Sequence, residues 1–188
     1  MKGAPAAGED IWVFAYGSLI WQPDFEFVES RKARLYGWHR SMCILSHYYR
    51  GTQENPGLVL GLNPGGSCVG VAYRVVGVKW PMVRQALHDR ELINGVYEPR
   101  FQMVCLEDGR KTPAYIFTAD RTHDQYWTGP IETAVSLIER GIGLNGTARD
   151  YFLKTLEKLA ALDISDKGLT RLKKAITLKA EILKDGAA

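Results

Sequence analysis

The order of the elements predicted from the sequence indicates an α+β fold. Segments with the apolar patterns of β-strands occupy most of the chain before residue 120, and helical patterns follow residue 130. One helical segment, which begins near Pro81, interrupts the strands. Because a run of strands followed by a run of helices is typical of α+β proteins, we expect a mixed or antiparallel, barrel-like sheet with flanking helices.

The length and composition of the chain fit a single globular domain. The chain has 188 residues, of which 46% are hydrophobic and 24% are charged, and this length allows a substantial core. We expect one domain over residues 11–188 and a flexible tail over residues 1–10, which are rich in alanine, glycine and proline. The tail lacks the apolar core of a signal peptide.

The charge distribution does not indicate a nucleic-acid or membrane partner. The formal net charge is +3, and no block of lysine or arginine stands out. No apolar stretch reaches the length of a membrane span. The oligomeric state is not indicated by any pattern in the sequence.

The cysteines and histidines favour neither a disulfide framework nor a metal site. Cys43, Cys68 and Cys105 are odd in number and widely separated, so we expect reduced thiols and a cytoplasmic protein. The four histidines lack the spacing of metal ligands, and we therefore expect no metal.

Apolar patterns predict the first strands of the sheet. The first strand begins at Ile11, and after a polar loop over residues 22–30 a long second strand spans residues 33–46. Beyond another loop, the run over residues 57–62 reads as a buried strand. The turn signal Asn63-Pro64-Gly65-Gly66 and a further apolar run over residues 68–76 then predict a hairpin.

The remaining elements are a helix, a second hairpin and the C-terminal helices. A helical face begins at Pro81 and ends near Leu92. The turn Asp108-Gly109 predicts a hairpin between residues 101–106 and 112–118, because Asp-Gly favours the positive φ of tight turns. The C-terminal helices are predicted over residues 131–140, 147–162 and 169–183.

The turn that ends the first strand is the first candidate binding site. The apolar run stops at Tyr16-Gly17-Ser18 and then resumes. Glycine gives a ligand access to the main chain, and successive N–H groups at the end of a strand form a donor site for a carboxylate or an oxyanion.

The cluster Asp89-Arg90-Glu91 at the end of the predicted helix is the first candidate for proton transfer. A carboxylate there meets the negative end of the helix dipole, and partial burial between strands would raise its pKa further. The alternative is an exposed charge cluster in which Arg90 neutralises its neighbours. The sequence alone favours this alternative.

Two tyrosines in predicted loops are candidates for substrate binding. Tyr97 follows the acidic cluster, and Tyr126 precedes a predicted helix. Aromatic residues in loops line pockets, but they also pack against the edges of cores.

An ordered set of short motifs resembles the ChaC-type, glutathione-specific γ-glutamylcyclotransferases. The resemblance covers about residues 11–162, and no single motif carries it. The motifs are Val13-Phe14-Ala15-Tyr16-Gly17-Ser18-Leu19-Ile20-Trp21, Arg50-Gly51-Thr52, Pro56-Gly57-Leu58-Val59-Leu60-Gly61-Leu62, Gly70-Val71-Ala72-Tyr73-Arg74-Val75, Arg90-Glu91 with Gly95 and Tyr97, and Tyr126 with Gly129-Pro130.

The resemblance implies a γ-glutamylcyclotransferase-like fold and a cyclisation that converts glutathione into 5-oxoproline and Cys-Gly without a metal or organic cofactor. It implies that Glu91 is the catalytic acid and base. The substrate-binding loop would consist of Val13, Phe14, Ala15, Tyr16, Gly17, Ser18 and Leu19.

Two other functions compete with this expectation. The same mechanism would serve another γ-glutamyl amino acid or amine, because specificity lies on the side of the leaving group. A non-catalytic binding or regulatory domain is the second alternative, in which the basic C-terminal helix would contact an acidic partner or RNA. The presence of Glu91 favours an enzyme, since a pure binder needs no acid there.

Overall fold

The computed structural model describes residues 3, 5–6 and 8–185, with only the backbone described for residues 183–185. Short 3-10 helices span Ser18–Ile20 and Gly77–Lys79. The strands are β1 (Ile11–Ala15), β2 (Glu29–Ser46), β3 (Gly57–Val75), β4 (Tyr97–Leu106), β5 (Lys111–Ala119), β6 (Ile142–Gly143) and β7 (Gly146–Thr147), and the helices are α1 (Trp80–Glu91), α2 (Ile131–Arg140), α3 (Ala148–Ala161) and α4 (Lys167–Asp185).

Strands β1–β5 form a closed barrel in the order β1-β3-β2-β4-β5. The barrel is mixed, because β1 pairs antiparallel with β3 and parallel with β5. Its interior is filled by large apolar side chains such as Phe14, Leu35 and Ile116, none of which is more than 1% exposed. The predicted α+β fold with a barrel-like sheet and flanking helices is confirmed.

The chain divides into two compact units. The first consists of residues 1–40 and 61–123 and carries β1, β4, β5 and α1. The second consists of residues 41–60 and 124–188 and carries α2, α3 and α4. The single domain expected over residues 11–188 stays a prediction. Within the described part of the chain, no helix has the length and apolar character needed to cross a membrane.

The predicted flexible tail falls partly outside the described residues, since residues 1, 2, 4 and 7 are not described. At its end, Asp10 forms a 2.6 Å ion pair with Arg74 and accepts a 3.0 Å hydrogen bond from the N–H of Gly77. These contacts hold the pKa of Asp10 below its usual range. The flexibility of the tail stays a prediction.

The hairpin predicted around Asn63-Pro64-Gly65-Gly66 is wrong, because β3 continues through these residues. Gly65 and Gly66 have φ values of +97° and +68°, and they distort the strand locally without reversing it. The Nδ1 atom of His39 on β2 lies 3.0 Å from the carbonyl oxygen of Gly65. The second predicted hairpin is confirmed, with Gly109 at a φ of +87° between β4 and β5.

The second unit depends on a close approach between backbone segments at Gly57. A Cβ atom on Gly57 would lie 2.1 Å from the carbonyl oxygen of Arg50 and 3.0 Å from the Cβ of Ala148. A Cβ atom on Gly141 would lie 2.3 Å from the Cα of Gly57. Only glycine therefore fits where these segments meet.

We expect Gly57→Ala to lower the free energy of unfolding by about 2 kcal/mol or more, because a backbone oxygen cannot move aside as a side chain can. The measurement is urea denaturation of the purified chain. Gly168→Ala is the control. Gly168 lies in the first turn of α4, and its added Cβ atom would lie 3.4 Å from the Oδ1 atom of Asp166. This substitution should leave stability unchanged or raise it by up to about 1 kcal/mol. Equal effects of the two substitutions would contradict the packing argument.

Candidate active site

Glu91 is the last residue of α1, and its side chain is only 16% exposed. Burial raises the pKa of its carboxyl group, while the neighbouring Arg90 opposes this shift. The negative end of the helix dipole also disfavours a charge at this position. Glu91 therefore has the environment expected of a proton carrier rather than of a surface charge.

Helix α1 is fixed against the barrel, so the position of Glu91 is well defined. Val83 and Leu87 are buried, and the Nε2 atom of His88 lies 2.5 Å from the hydroxyl oxygen of Tyr115 on β5. Burial lowers the pKa of His88 and raises that of Tyr115. This contact is one turn before Glu91 on the same helix.

The predicted substrate-binding loop comprises the last three residues of β1, the Tyr16-Gly17 connection and the first two residues of the 3-10 helix. Val13, Phe14 and Ala15 lie in β1 and are almost completely buried, and Val13 is placed between β3 and β5 by its register with both strands. Leu19 is also buried. A helix supplies no acceptor for its first N–H groups, so those of Ser18 and Leu19 find no acceptor within the 3-10 turn.

A buried arginine orients the peptide group between Tyr16 and Gly17. Arg40 on β2 is 4% exposed, and its Nε donates a 2.6 Å hydrogen bond to the carbonyl oxygen of Tyr16. Its Nη2 donates a 2.7 Å hydrogen bond to the carbonyl oxygen of Val69 on β3. No peptide bond in the described ranges is cis. Because a trans peptide directs its C=O and N–H to opposite sides, the N–H of Gly17 points away from Arg40.

Arg90 connects the loop to the acid. Its Nη2 donates a 2.9 Å hydrogen bond to the Oγ of Ser18, and its Nε lies 3.1 Å from the Oε1 of Glu91. Its Nη1 donates to the carbonyl oxygen of Gln22 at 2.6 Å and to the Oδ2 of Asp24 at 2.8 Å. A single guanidinium group thus contacts both parts of the site predicted from the sequence.

The remaining residue of the acidic cluster and the two candidate tyrosines have different surroundings. Asp89 is exposed and accepts a 2.8 Å hydrogen bond from Gln85 on its own helix, so it is a surface residue. Tyr97 opens β4 opposite Ala119 and is partly buried. Tyr126 belongs to the second unit, where it forms a bridge with Ile44. Substrate binding by the two tyrosines stays a prediction.

Sequence reasoning missed what two arginines do. In the sequence, Arg90 indicated only an exposed charge cluster in which it neutralises its neighbours. In the structure, Arg90 also contacts the loop through Ser18. No role was predicted for Arg40, although an arginine within a largely apolar strand segment indicates a buried cation. Both residues act on groups more than twenty positions away, which local patterns cannot indicate.

The combination of a buried carboxyl group with main-chain donors fits an enzyme that moves a proton and stabilises an anion. Similarity to known proteins identifies the family to which the chain belongs. A family model described as "ChaC-like protein" matches residues 11–179. The chain therefore belongs to the ChaC-like family.

Two curated relatives support this assignment, and one solved structure has a similar fold. The chain is 36% identical to the Escherichia coli "Glutathione-specific gamma-glutamylcyclotransferase", over 94% of this chain and 77% of the relative. It is 32% identical to "Gamma-glutamylcyclotransferase 2-3" of Arabidopsis thaliana, over 86% of each chain. The fold is similar to that of a glutathione-specific γ-glutamyl cyclotransferase from yeast, with a TM-score of 0.83, 21% identity and coverage of 90% of this chain and 96% of that chain.

The raised pKa of Glu91 predicts how Glu91→Gln changes stability with pH. A carboxyl group with a raised pKa stabilises the fold while it is protonated, and this contribution is lost as the pH rises through the pKa in the folded state. Glutamine does not titrate, so the melting temperature of Glu91→Gln should rise relative to the wild type as the pH increases through that range. The measurement is thermal melting at a series of pH values.

The control for this prediction is Glu157→Gln, which changes an exposed glutamate on α3. Its melting temperature should stay parallel to that of the wild type. A melting temperature of Glu91→Gln that falls relative to the wild type with increasing pH would contradict the raised pKa.

Proposed function

We propose that this chain is a γ-glutamylcyclotransferase that converts glutathione into 5-oxoproline and Cys-Gly. Membership of the ChaC-like family and the activity for which the Escherichia coli relative is named support this proposal. The observation that carries it is the guanidinium of Arg90, which contacts both the loop serine and a buried carboxyl group.

The reaction needs no nucleophile from the protein. The α-amino nitrogen of the γ-glutamyl group attacks its own γ-carbonyl carbon, and the bond from that carbon to the cysteinyl nitrogen breaks. Holding the γ-glutamyl arm in a ring-like conformation contributes several kcal/mol to the lowering of the barrier. Because both reacting groups come from the substrate, the proposed reaction needs no metal or organic cofactor.

Glu91 carries the proton in this scheme. The ionised carboxylate accepts a proton from the α-ammonium group, which turns the nitrogen into a nucleophile, and then returns this proton to the leaving amine. The second proton that the nitrogen loses on ring closure passes to solvent. A raised pKa suits both steps, because the carboxyl group then releases and accepts protons near neutral pH. Arg90 opposes the rise in the pKa of Glu91 and so favours the ionised form that accepts the proton.

The loop binds the charged parts of the substrate. The N–H groups of Gly17, Ser18 and Leu19 are the proposed donors to the α-carboxylate or to the oxyanion that develops on the γ-carbonyl. Arg40 supports this role because it holds the carbonyl oxygen of Tyr16 on the opposite side of the peptide. We also propose a cytoplasmic location, which is supported by the lack of a disulfide at the three described cysteines. We propose no nucleic-acid or membrane partner.

The test of the proposed activity is the formation of 5-oxoproline from glutathione by the purified chain. Glu91→Gln should lower kcat at least about a hundredfold, because the proton carrier is lost. Glu157→Gln is the matched control and should retain the wild-type rate. A Glu91→Gln variant as active as the wild type would remove Glu91 from the mechanism. A wild-type chain that forms no 5-oxoproline would favour a non-catalytic binding domain.

Selectivity for the donor distinguishes glutathione from other γ-glutamyl compounds. The Arabidopsis thaliana relative is a γ-glutamylcyclotransferase whose name specifies no donor, so other γ-glutamyl compounds are the alternative substrates. We expect kcat/KM for glutathione to exceed the values for γ-glutamyl amino acids and γ-glutamyl amines, measured at equal concentrations. A higher value for any of these donors would assign the enzyme to that substrate class, without changing the role of Glu91.

A further inference from the structure

The proposed reaction requires only that the charge of Arg90 lies beside Glu91, but the guanidinium makes further contacts. All three of its nitrogen atoms are engaged: Nε by Glu91, Nη2 by Ser18, and Nη1 by Gln22 and Asp24. Its side chain is 26% exposed, so much of the group is removed from solvent. A planar guanidinium whose three nitrogens all have partners is held in one orientation.

We infer that Arg90 is a positioning residue, whose guanidinium fixes the distance between the Ser18 turn and the Glu91 carboxylate during ring closure. This inference rests on the proposed function. The contacts to Ser18 and Gln22 span the whole 3-10 turn, since the N–H of Gln22 itself donates a 3.0 Å hydrogen bond to the carbonyl oxygen of Ser18. The turn and the end of α1 are therefore joined through one rigid group.

The competing explanation is a surface ion pair between Arg90 and Asp24. Asp24 is 55% exposed, and an exposed ion pair contributes little and depends mainly on charge. Lysine would preserve such a pair. It would not preserve the simultaneous contacts with Ser18, Gln22 and Glu91, because an ammonium group lacks the flat, forked geometry of a guanidinium. Lysine at position 90 therefore separates the two explanations.

Two of the charged groups near Arg90 contact it directly, and the other two have partners of their own. Asp24 faces it from the loop after the 3-10 turn, and Glu91 lies beside it on α1. On the same helix, Asp89 is engaged by Gln85, and His88 is engaged by Tyr115 of β5. Removing the cation should leave Glu91 protonated to a higher pH, because burial is then opposed by less positive charge.

The experiment measures kcat, KM and the pH profile of 5-oxoproline formation from glutathione by the full chain. Arg90→Lys should lower kcat by about tenfold to a hundredfold through misplacement of the acid relative to the loop, with the acid limb of the profile near its wild-type position. Arg90→Met should also move the acid limb to higher pH. Arg149→Lys and Arg149→Met, at an exposed position on α3, should behave as the wild type.

A double-mutant cycle tests the contact with the loop. Ser18→Ala should lower kcat. The kcat of the Arg90→Lys, Ser18→Ala double variant should be no lower than that of the less active single variant, because either substitution already removes the shared contact. Thermal melting identifies any variant that has lost its fold. If Arg90→Met does not fold, the lysine variant and the cycle decide the question.

Two results would overturn the inference while leaving the proposed function intact. One is an Arg90→Lys variant with wild-type kcat, which would reduce Arg90 to a surface charge. The other is strict additivity of Arg90→Lys and Ser18→Ala, which would mean that the contact is not used. Failure of the wild-type chain to form 5-oxoproline would instead overturn the proposed function, and this inference with it.

Discussion

The contact between the guanidinium of Arg90 and the carboxyl group of Glu91 sets the properties of the whole site. Burial at the end of α1 makes a charge on Glu91 unfavourable, and the adjacent cation partly compensates. The same cation reaches Ser18 at 2.9 Å, so the compensation is coupled to the position of the loop. Burial therefore favours the protonated form of Glu91, while Arg90 favours the ionised form.

The barrel explains why these groups meet. The parallel pairing of β1 with β5 and its antiparallel pairing with β3 fix the register of β1 on both sides. Helix α1 is held to β5 through His88 and Tyr115. Arg40 then fixes the first peptide group beyond β1. The loop and the acid are distant in sequence, but each is attached to a neighbouring part of one rigid sheet.

Local signals in the sequence predict most of the fold and only part of the site. The hairpin at Asp108-Gly109 and helix α2 depend on neighbouring residues, and both are confirmed. The turn at Asn63-Pro64-Gly65-Gly66 has an equally strong local signal, yet β3 passes through it because pairing within the barrel outweighs a turn preference. The contacts of Arg90 with Ser18 and of Arg40 with Tyr16 join residues far apart in sequence, so no local pattern could predict them.

The most direct test of this account is a crystal structure of the Glu91→Gln variant with glutathione bound. We expect the α-amino nitrogen of the γ-glutamyl group within hydrogen-bond distance of the residue 91 side chain. We also expect the N–H groups of Gly17, Ser18 and Leu19 to donate to the α-carboxylate or the γ-carbonyl oxygen. Glutathione bound with its α-amino nitrogen away from residue 91, or with no contact to the loop after β1, would contradict the account.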